Sequence, residues 1–305
     1  MKNIIYITES QIGDVAEALA ATSLPVVSSY DVSKVLFLKA PDNTRQIKEV
    51  FQGVVSRLLA VRLLTRLPLQ NGADAYFLFG HSNASAQEIA CSLDPFAYVS
   101  HLSAMEYHGL TDRFPKIIFM STPPLSNWRQ QARDRMHKDL GDRFDNYISS
   151  GLPKLTKLNL TKIGQSAVQF YERSQLGAFR HVTGTPLRVA TIGRVFLDMI
   201  REPHLCGGIQ HVVDVFSNEA KRHLRSIVDE VDRNGKPIDK VRAGFLLSEV
   251  CKLEDPLIDN WNQYAQRGGS RKLDPEGEYS ATYSKRWQLS INVPSMTVDQ
   301  ESNDI

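Results

Sequence analysis

Long apolar runs are missing from this 305-residue chain; none approaches the roughly 18 residues that a membrane-spanning helix needs. Its first residues hold a short apolar stretch but reach Glu9 and Asp14 almost at once, without the core or the small-residue cleavage site of a secretory signal. Cysteine is scarce as well. Cys91, Cys206 and Cys251 are odd in number and far apart, which argues against a disulfide framework or a cysteine-based zinc site and fits a reducing cytoplasm. The chain also lacks a Walker-type phosphate loop, a GxGxxG turn after a strand, a GxSxG elbow and an HExxH pair. Without an enzyme signature, the expectation is a protein that is not an enzyme and uses no cofactor and no metal.

What is present is an ordinary globular composition, 42% hydrophobic and 23% charged, at a length that suits two domains. The net charge of +2 conceals a segregation. Residues Arg113 to Arg188 carry 13 Lys/Arg against 5 Asp/Glu, a local charge of +8. Residues Lys34 to Arg66 carry 7 against 2, or +5, whereas Val195 to the C-terminus carries 14 against 18, or −4. Two basic stretches in a near-neutral chain point to a polyanion partner; a solvated helical face is the plainer account of the same charges.

Periodicity organises the N-terminal part. Asn3–Thr8 reads as a short strand or lead-in, and Gln11–Ala21 as a helix with Ile12, Val15, Ala16 and Leu19 on one face. Ser28-Ser29-Tyr30-Asp31 supplies N-cap chemistry for a helix through Val35 to Phe37. A turn at Pro41-Asp42-Asn43-Thr44 starts a longer helix in which Ile47, Val50, Phe51, Val54, Leu58 and Val61 form the buried face. Leu63–Leu67 and Ala75–Phe79, joined around Asn71-Gly72, read as a β-hairpin. Helix, helix, long helix and hairpin follow one another in the order of a winged helix-turn-helix. In such a domain the exposed face of the long helix enters the major groove and the hairpin reaches phosphate or the minor groove. The candidates are Arg45, Lys48, Gln52, Ser56, Arg57 and Arg62 on the helix, and Arg66, Gln70 and Asn71 on the wing. A winged helix used only for protein contact is the alternative.

The second part begins near Asn83. Asp94-Pro95 is expected to open a helix that ends at His108-Gly109, followed by a buried strand at Lys116–Thr122 and a strongly charged helix or connector at Arg129–Leu140. Thr156–Ile163, Ala167–Tyr171 and Leu187–Ile192 read as strands, and the remainder as helix: Arg194–Ile200, Ile209–Phe216, Glu219–Arg233 and Asp239–Cys251. The polar, acidic tail is expected to be disordered. The fold class is therefore α+β, with residues 1–82 as the winged-helix domain, 83–294 as a mixed α/β domain and 295–305 as tail.

Other chemistry-bearing residues have bland readings. His101 and His108, seven apart on the expected helix, stand roughly 10 Å apart, too far to share one ion. Asp198, four residues after Arg194, reads as a surface ion pair. Gly207-Gly208 before a helix reads as a tight connection rather than a phosphate-binding turn. A nuclease whose carboxylates converge only in the folded chain stays open as a rival.

Several segments share a pattern beyond periodicity. The stretch Asp94–Ala104 (DPFAYVSHLSA), with Tyr107-His108-Gly109-Leu110-Thr111 and the strand Ile117–Pro123, resembles the start of the AbiEi antitoxin domain. Arg194-Val195-Phe196-Leu197-Asp198 is similar to that family's RTLLD helix, with Val195 and Phe196 in place of Thr and Leu. Pro203 with Gly207-Gly208-Ile209, and Arg242–Leu247, resemble its P…GG connection and late helix. The likeness runs collinearly from about residue 24 to residue 293. It implies an antitoxin of a type IV toxin–antitoxin, phage-defence operon, a cytoplasmic autorepressor that binds inverted or direct repeats in operator DNA and counters a nucleotidyltransferase-like toxin. No membrane partner is expected, and self-association on DNA is. A second basic surface for DNA or antitoxicity falls on Arg129, Arg133, Arg135, Lys138, Arg143, Lys154, Lys157 and Lys162. The alternative reading is a protein-interaction module that neutralises a toxin or defence effector without binding DNA.

Overall fold

The computed structural model describes residues 9–40, 46–69, 74–81, 83–268 and 271–296. The fold is α+β. It divides into two compact units: one holds the chain up to Tyr98 with Met120–Leu176 and His181–Arg188, the other holds Val99–Phe119, Gly177–Arg180 and the chain from Val189 onward. The strand expected at Asn3–Thr8, the turn at residues 41–44, the Asn71-Gly72 tip and the tail from residue 297 lie outside the described residues.

The first unit begins with α1 (Glu9–Ala20), β1 (Val26–Ser28), α2 (Ser29–Lys39), α3 (Ile47–Ala60), β2 (Leu64–Leu67) and β3 (Ala75–Leu78). Ser28 caps α2 as its residues predict: its hydroxyl accepts from Asp31 N, and the Asp31 carboxylate accepts from Ser28 N at 2.9 Å. The β1 strand, three residues long, has no counterpart in the sequence reading. It completes an antiparallel sheet of order β1-β3-β2, with Val26 opposite Phe77 and Leu64 opposite Leu78. The expected hairpin strands are there. In α3 the residues at 47, 50, 51, 54, 55 and 58 turn inward, but Val61 is 47% exposed because the helix has ended at Ala60.

A feature of longer range adds to this core. The helices α4 (Ala86–Leu93), α6 (Leu125–Leu140) and α7 (Phe144–Ser149) also belong to the first unit. Met136, Leu140, Phe144, Tyr147 and Leu152 join the same apolar cluster as Leu36, Phe37, Val54 and Leu58. The Tyr147 ring meets Phe37 edge-on, with centroids 5.1 Å apart. The basic segment after Pro124 is therefore packed on the helices that precede it in sequence.

Between those helices the structure differs from expectation. Asp94 opens no helix; its carboxylate is taken by Trp128 Nε1 at 2.8 Å and Thr122 Oγ1 at 2.9 Å. Tyr98–Val99, aromatic and β-branched and wholly buried, form β4, and the helix α5 runs only from His101 to Tyr107. Next come β5 (Ile117–Thr122), β6 (Lys162–Ile163), β7 (Ser166–Glu172), β8 (Phe179–His181) and β9 (Arg188–Ala190). They form a sheet of order β6-β7-β5-β4-β9-β8. The expected strand from Thr156 shrinks to its last two residues, which pair with β7; the alternation before them marks extended chain without a ladder.

The second unit is mostly helical, with α8 (Ile192–Arg201), α9 (Ile209–Asn234), α10 (Pro237–Gly244) and α11 (Pro256–Trp261). The two helices expected from Ile209 are one, since Ser217 returns its hydroxyl to the Val213 carbonyl at 2.9 Å and lets the helix continue. Gly207 and Gly208 adopt φ of 90° and 92°, a left-handed turn into α9 that residues with a Cβ resist. The helix expected through Cys251 gives way after Gly244 to a π-helical turn, Phe245–Val250. The stretch after α11 is helical only in a 3-10 turn, Asn262–Tyr264, and a short turn at 294–296; the rest is irregular chain with a short hairpin, β10 (Tyr283–Ser284) and β11 (Leu289–Ser290), held by fully buried Trp287. Cys91 and Cys206 are buried and Cys251 is half-buried, and among the described residues they form no disulfide. No described helix is long and apolar enough to cross a membrane.

Candidate nucleic-acid interface

The α3 helix separates its two faces cleanly. Six apolar side chains hold it to the core, and Lys48, Gln52, Ser56 and Arg57 are exposed. Lys48, Gln52 and Ser56 follow at intervals of four, so they form one row along the helix. Ser56 bonds back to the Gln52 backbone carbonyl at 2.8 Å, and the Gln52 side chain is exposed. Glu49 is exposed in the first turn, and its carboxylate disfavours a polyanion near that end. Among the described residues, Lys48, Arg57 and Arg62 have no ion-pair partner. Arg62 follows the helix in a left-handed conformation, φ 58°. Arg45, Gln70 and Asn71 lie outside the described residues. Arg66 is exposed on β2 and paired at 2.5 Å with Asp74 at the start of β3. An exposed pair of that kind is worth about 0–1 kcal/mol, so a phosphate competes readily for the guanidinium.

The second set of cations is not one surface. Arg129 and Arg133 leave α6 on one side of its buried stripe, beside Lys154, around a groove of about 380 Å³ floored by Met136, Phe144 and Leu155. Arg135 leaves the other side and pairs with Asp139 at 3.5 Å. Lys138, Lys154 and Lys162 are exposed. Arg143 is half-buried: its guanidinium lies 4.5 Å over the Phe37 ring and donates to the carbonyls of Leu38 and Ala40, both at 3.3 Å. It closes the C-terminal end of α2, where carbonyls lack helical partners. Lys157 donates to the Pro123 carbonyl at 3.1 Å and to Glu172 at 3.3 Å. Counting charge along the sequence included these two because it cannot register a partner.

What the sequence reading missed is the tie between α3's neighbours and α6. Tyr30 and Lys34 on α2 both reach Asp139 on α6. Burial, reinforced by Asp139, pushes the Tyr30 phenol above its ordinary pKa and keeps it a neutral donor. Tyr147 is raised likewise, by burial. One core thus fixes both the exposed row of α3 and the cations of α6.

No family model matches the chain, and no curated relative does. Among solved structures, the chain is similar to the RV2827C protein from Mycobacterium tuberculosis, with a TM-score of 0.48, 12% identity and 96% of each chain covered.

The remaining sequence candidates also have places in the folded chain. His108 donates to the Ala190 carbonyl at 2.7 Å, and burial lowers its pKa. Arg194 and Asp198, expected as a surface pair, are instead buried, with Nε and Oδ1 2.8 Å apart. Both lie on α8, whose residues from Gly193 to Ile200 are all buried.

Proposed function

We propose that this chain is a non-enzymatic, DNA-binding regulator, an antitoxin and autorepressor of the AbiEi type, in which residues 9–81 form a winged helix-turn-helix and α3 is the reading helix. The observation that carries the reading is the exposed row Lys48, Gln52 and Ser56, with Arg57, on a helix locked to a core by its other face and followed at once by a hairpin. Lysine and arginine there supply sequence-independent contacts to phosphate, and Gln52 has the donor and acceptor needed to read a base edge. Arg129, Arg133 and Lys154 add phosphate contacts from the same unit. The antitoxin role rests on the resemblance that begins at Asp94.

The direct test is a gel shift with the duplex upstream of the chain's own gene against a scrambled duplex of equal length. Retardation of the upstream duplex at least tenfold tighter, lost as salt is raised, is the expected result. Equal and weak retardation of both removes the operator assignment.

A second reading, direct capture of a protein partner without DNA, is favoured by one observation. Phe79 is 76% exposed at the end of β3, beside a pocket of about 310 Å³ lined by Leu19, Leu58, Leu63 and Leu78. Stable co-purification with the product of the neighbouring gene, together with no affinity for the upstream duplex, is the outcome that reading requires.

A further inference from the structure

Within the second unit, His101 comes together with two carboxylates far along the chain, Asp198 and Glu202, the latter 101 residues on. His101 stands at the start of α5, Asp198 in α8, and Glu202 caps the C-terminal end of α8. Each offers one ligand atom, and these atoms all lie within 4.8 Å of one another. Asp198 and Glu202 are four residues apart, so the helix presents both carboxylates on one side. His101 Nε2 lies 3.1 Å from Glu202 Oε2. Two ligands bound side by side at about 2.1 Å from a metal stand about 3.0–3.4 Å apart, so this spacing already suits a shared ion.

The groups behind the three are arranged to aim them. Ser100 Oγ holds His101 Nδ1 at 2.8 Å, which fixes the ring and turns Nε2 toward the carboxylates. Arg194 Nε holds Asp198 Oδ1 at 2.8 Å. The other oxygen, Asp198 Oδ2, is buried and has no hydrogen-bond partner among the described residues, although the side chain is only 1% exposed. A carboxylate oxygen left without a donor in the interior is costly, and a cation placed against it removes that cost. His101 itself sits at φ 50°, a left-handed backbone, and its ring reaches Glu202 at the end of α8. Glu202, with its side chain 23% exposed, is the one of the three that meets solvent and so marks the side from which an ion enters.

We propose that His101, Asp198 and Glu202 form a binding site for one divalent transition-metal ion, Zn²⁺ or Mn²⁺, with Ser100 and Arg194 as the residues that orient its ligands. One imidazole and two carboxylates form a mixed nitrogen and oxygen set, which suits these ions better than the all-oxygen shell that Ca²⁺ or Mg²⁺ prefers. With histidine neutral, the two carboxylates and Arg194 sum to one negative charge, which the dication reverses. The ion would clamp the start of α5 to the end of α8. The site belongs to the second unit, whereas α3 and α6 belong to the first, and it does not depend on the DNA-binding reading.

The experiment uses the full chain, stripped with a chelator and titrated by calorimetry with Zn²⁺ and Mn²⁺ separately, with thermal melting followed alongside. The expected result is one ion per chain and a rise in melting temperature on loading. Glu202→Gln, at the half-exposed edge, is expected to keep the fold and weaken binding at least tenfold, with the melting rise lost. Asp198→Asn removes the central ligand; because it also disturbs Arg194, Ser100→Ala, which leaves all three ligands in place, is read beside it and is expected to weaken binding about 10–100-fold. No saturable uptake by the unaltered chain, or uptake unchanged in Glu202→Gln, overturns the proposal.

Discussion

Tyr30 on α2 donates its phenolic hydrogen to Asp139 on α6 across 3.0 Å, and Lys34, one turn further along α2, reaches the same carboxylate oxygen at 3.2 Å. Residues 109 apart in sequence thereby join the N-terminal helices to the basic helix within one unit. Replacing Asp139 by alanine strands a mostly buried phenol and an ammonium, and is expected to cost about 1–3 kcal/mol of stability. Tyr30→Phe alone is expected to cost about 0.5–1.5 kcal/mol. Urea unfolding of the two single variants and the double variant checks the coupling; strictly additive losses would mean that the two groups do not act together.

Arginines in the second basic segment are predicted to divide by partner rather than by charge. Arg143→Ala removes the cap on the Leu38 and Ala40 carbonyls and the packing on Phe37, so stability falls by about 1–2 kcal/mol. Arg133→Ala leaves stability within about 0.5 kcal/mol and lowers the salt dependence of DNA binding by about one charge. Melting curves and anisotropy titrations on the same two proteins separate the effects. The reverse pattern would show that Arg143 faces the polyanion.

Acid is expected to weaken the second unit through its histidines. Burial lowers the pKa of His108, His211 and His223, so between those values and the ordinary one near 6.5 the unfolded chain binds more protons. Their contribution to stability is complete above about pH 6.5 and is lost as the pH falls through the lowered values. Unfolding free energy is therefore expected to drop between pH 7.5 and 5.5, and to drop less in His108→Gln. A flat profile over that range would contradict the burial argument.

Gly244 offers a packing test. A Cβ built on it would lie 2.1 Å from Trp287 Cη2, inside the ring's own volume. Gly244→Ala should therefore destabilise by about 1–3 kcal/mol through overpacking, although alanine favours the helix by about 1 kcal/mol. A stabilised variant would mean that Trp287 moves aside easily.

The parts of this fold that the sequence made legible are local ones. The Ser28–Asp31 cap, the inward row of α3 and the β2–β3 hairpin each depend on residues within a few positions of one another, and each stands where the pattern put it. Long-range partners were hidden. Charge patterning grouped Arg143 and Lys157 with the exposed cations because the Leu38, Ala40 and Pro123 carbonyls that hold them are contributed by other segments. The Asp94-Pro95 helix start failed for the same reason: Trp128 and Thr122 take the carboxylate that would have capped it. Likewise, nothing local separates Arg194 and Asp198 from an exposed pair, and only the packing around α8 buries them.

The assignment of α3 as the reading helix, proposed above, stands or falls on DNA binding. Its most direct test is fluorescence anisotropy of the full chain on the upstream duplex, comparing the unaltered protein with Lys48→Ala, Gln52→Ala and Arg57→Ala over a range of salt concentrations. Lys48→Ala and Arg57→Ala are each expected to bind at least tenfold more weakly with a salt slope smaller by about one, and Gln52→Ala to lose its preference for the upstream sequence at an unchanged slope. Affinity and slope unchanged in all three variants would contradict it.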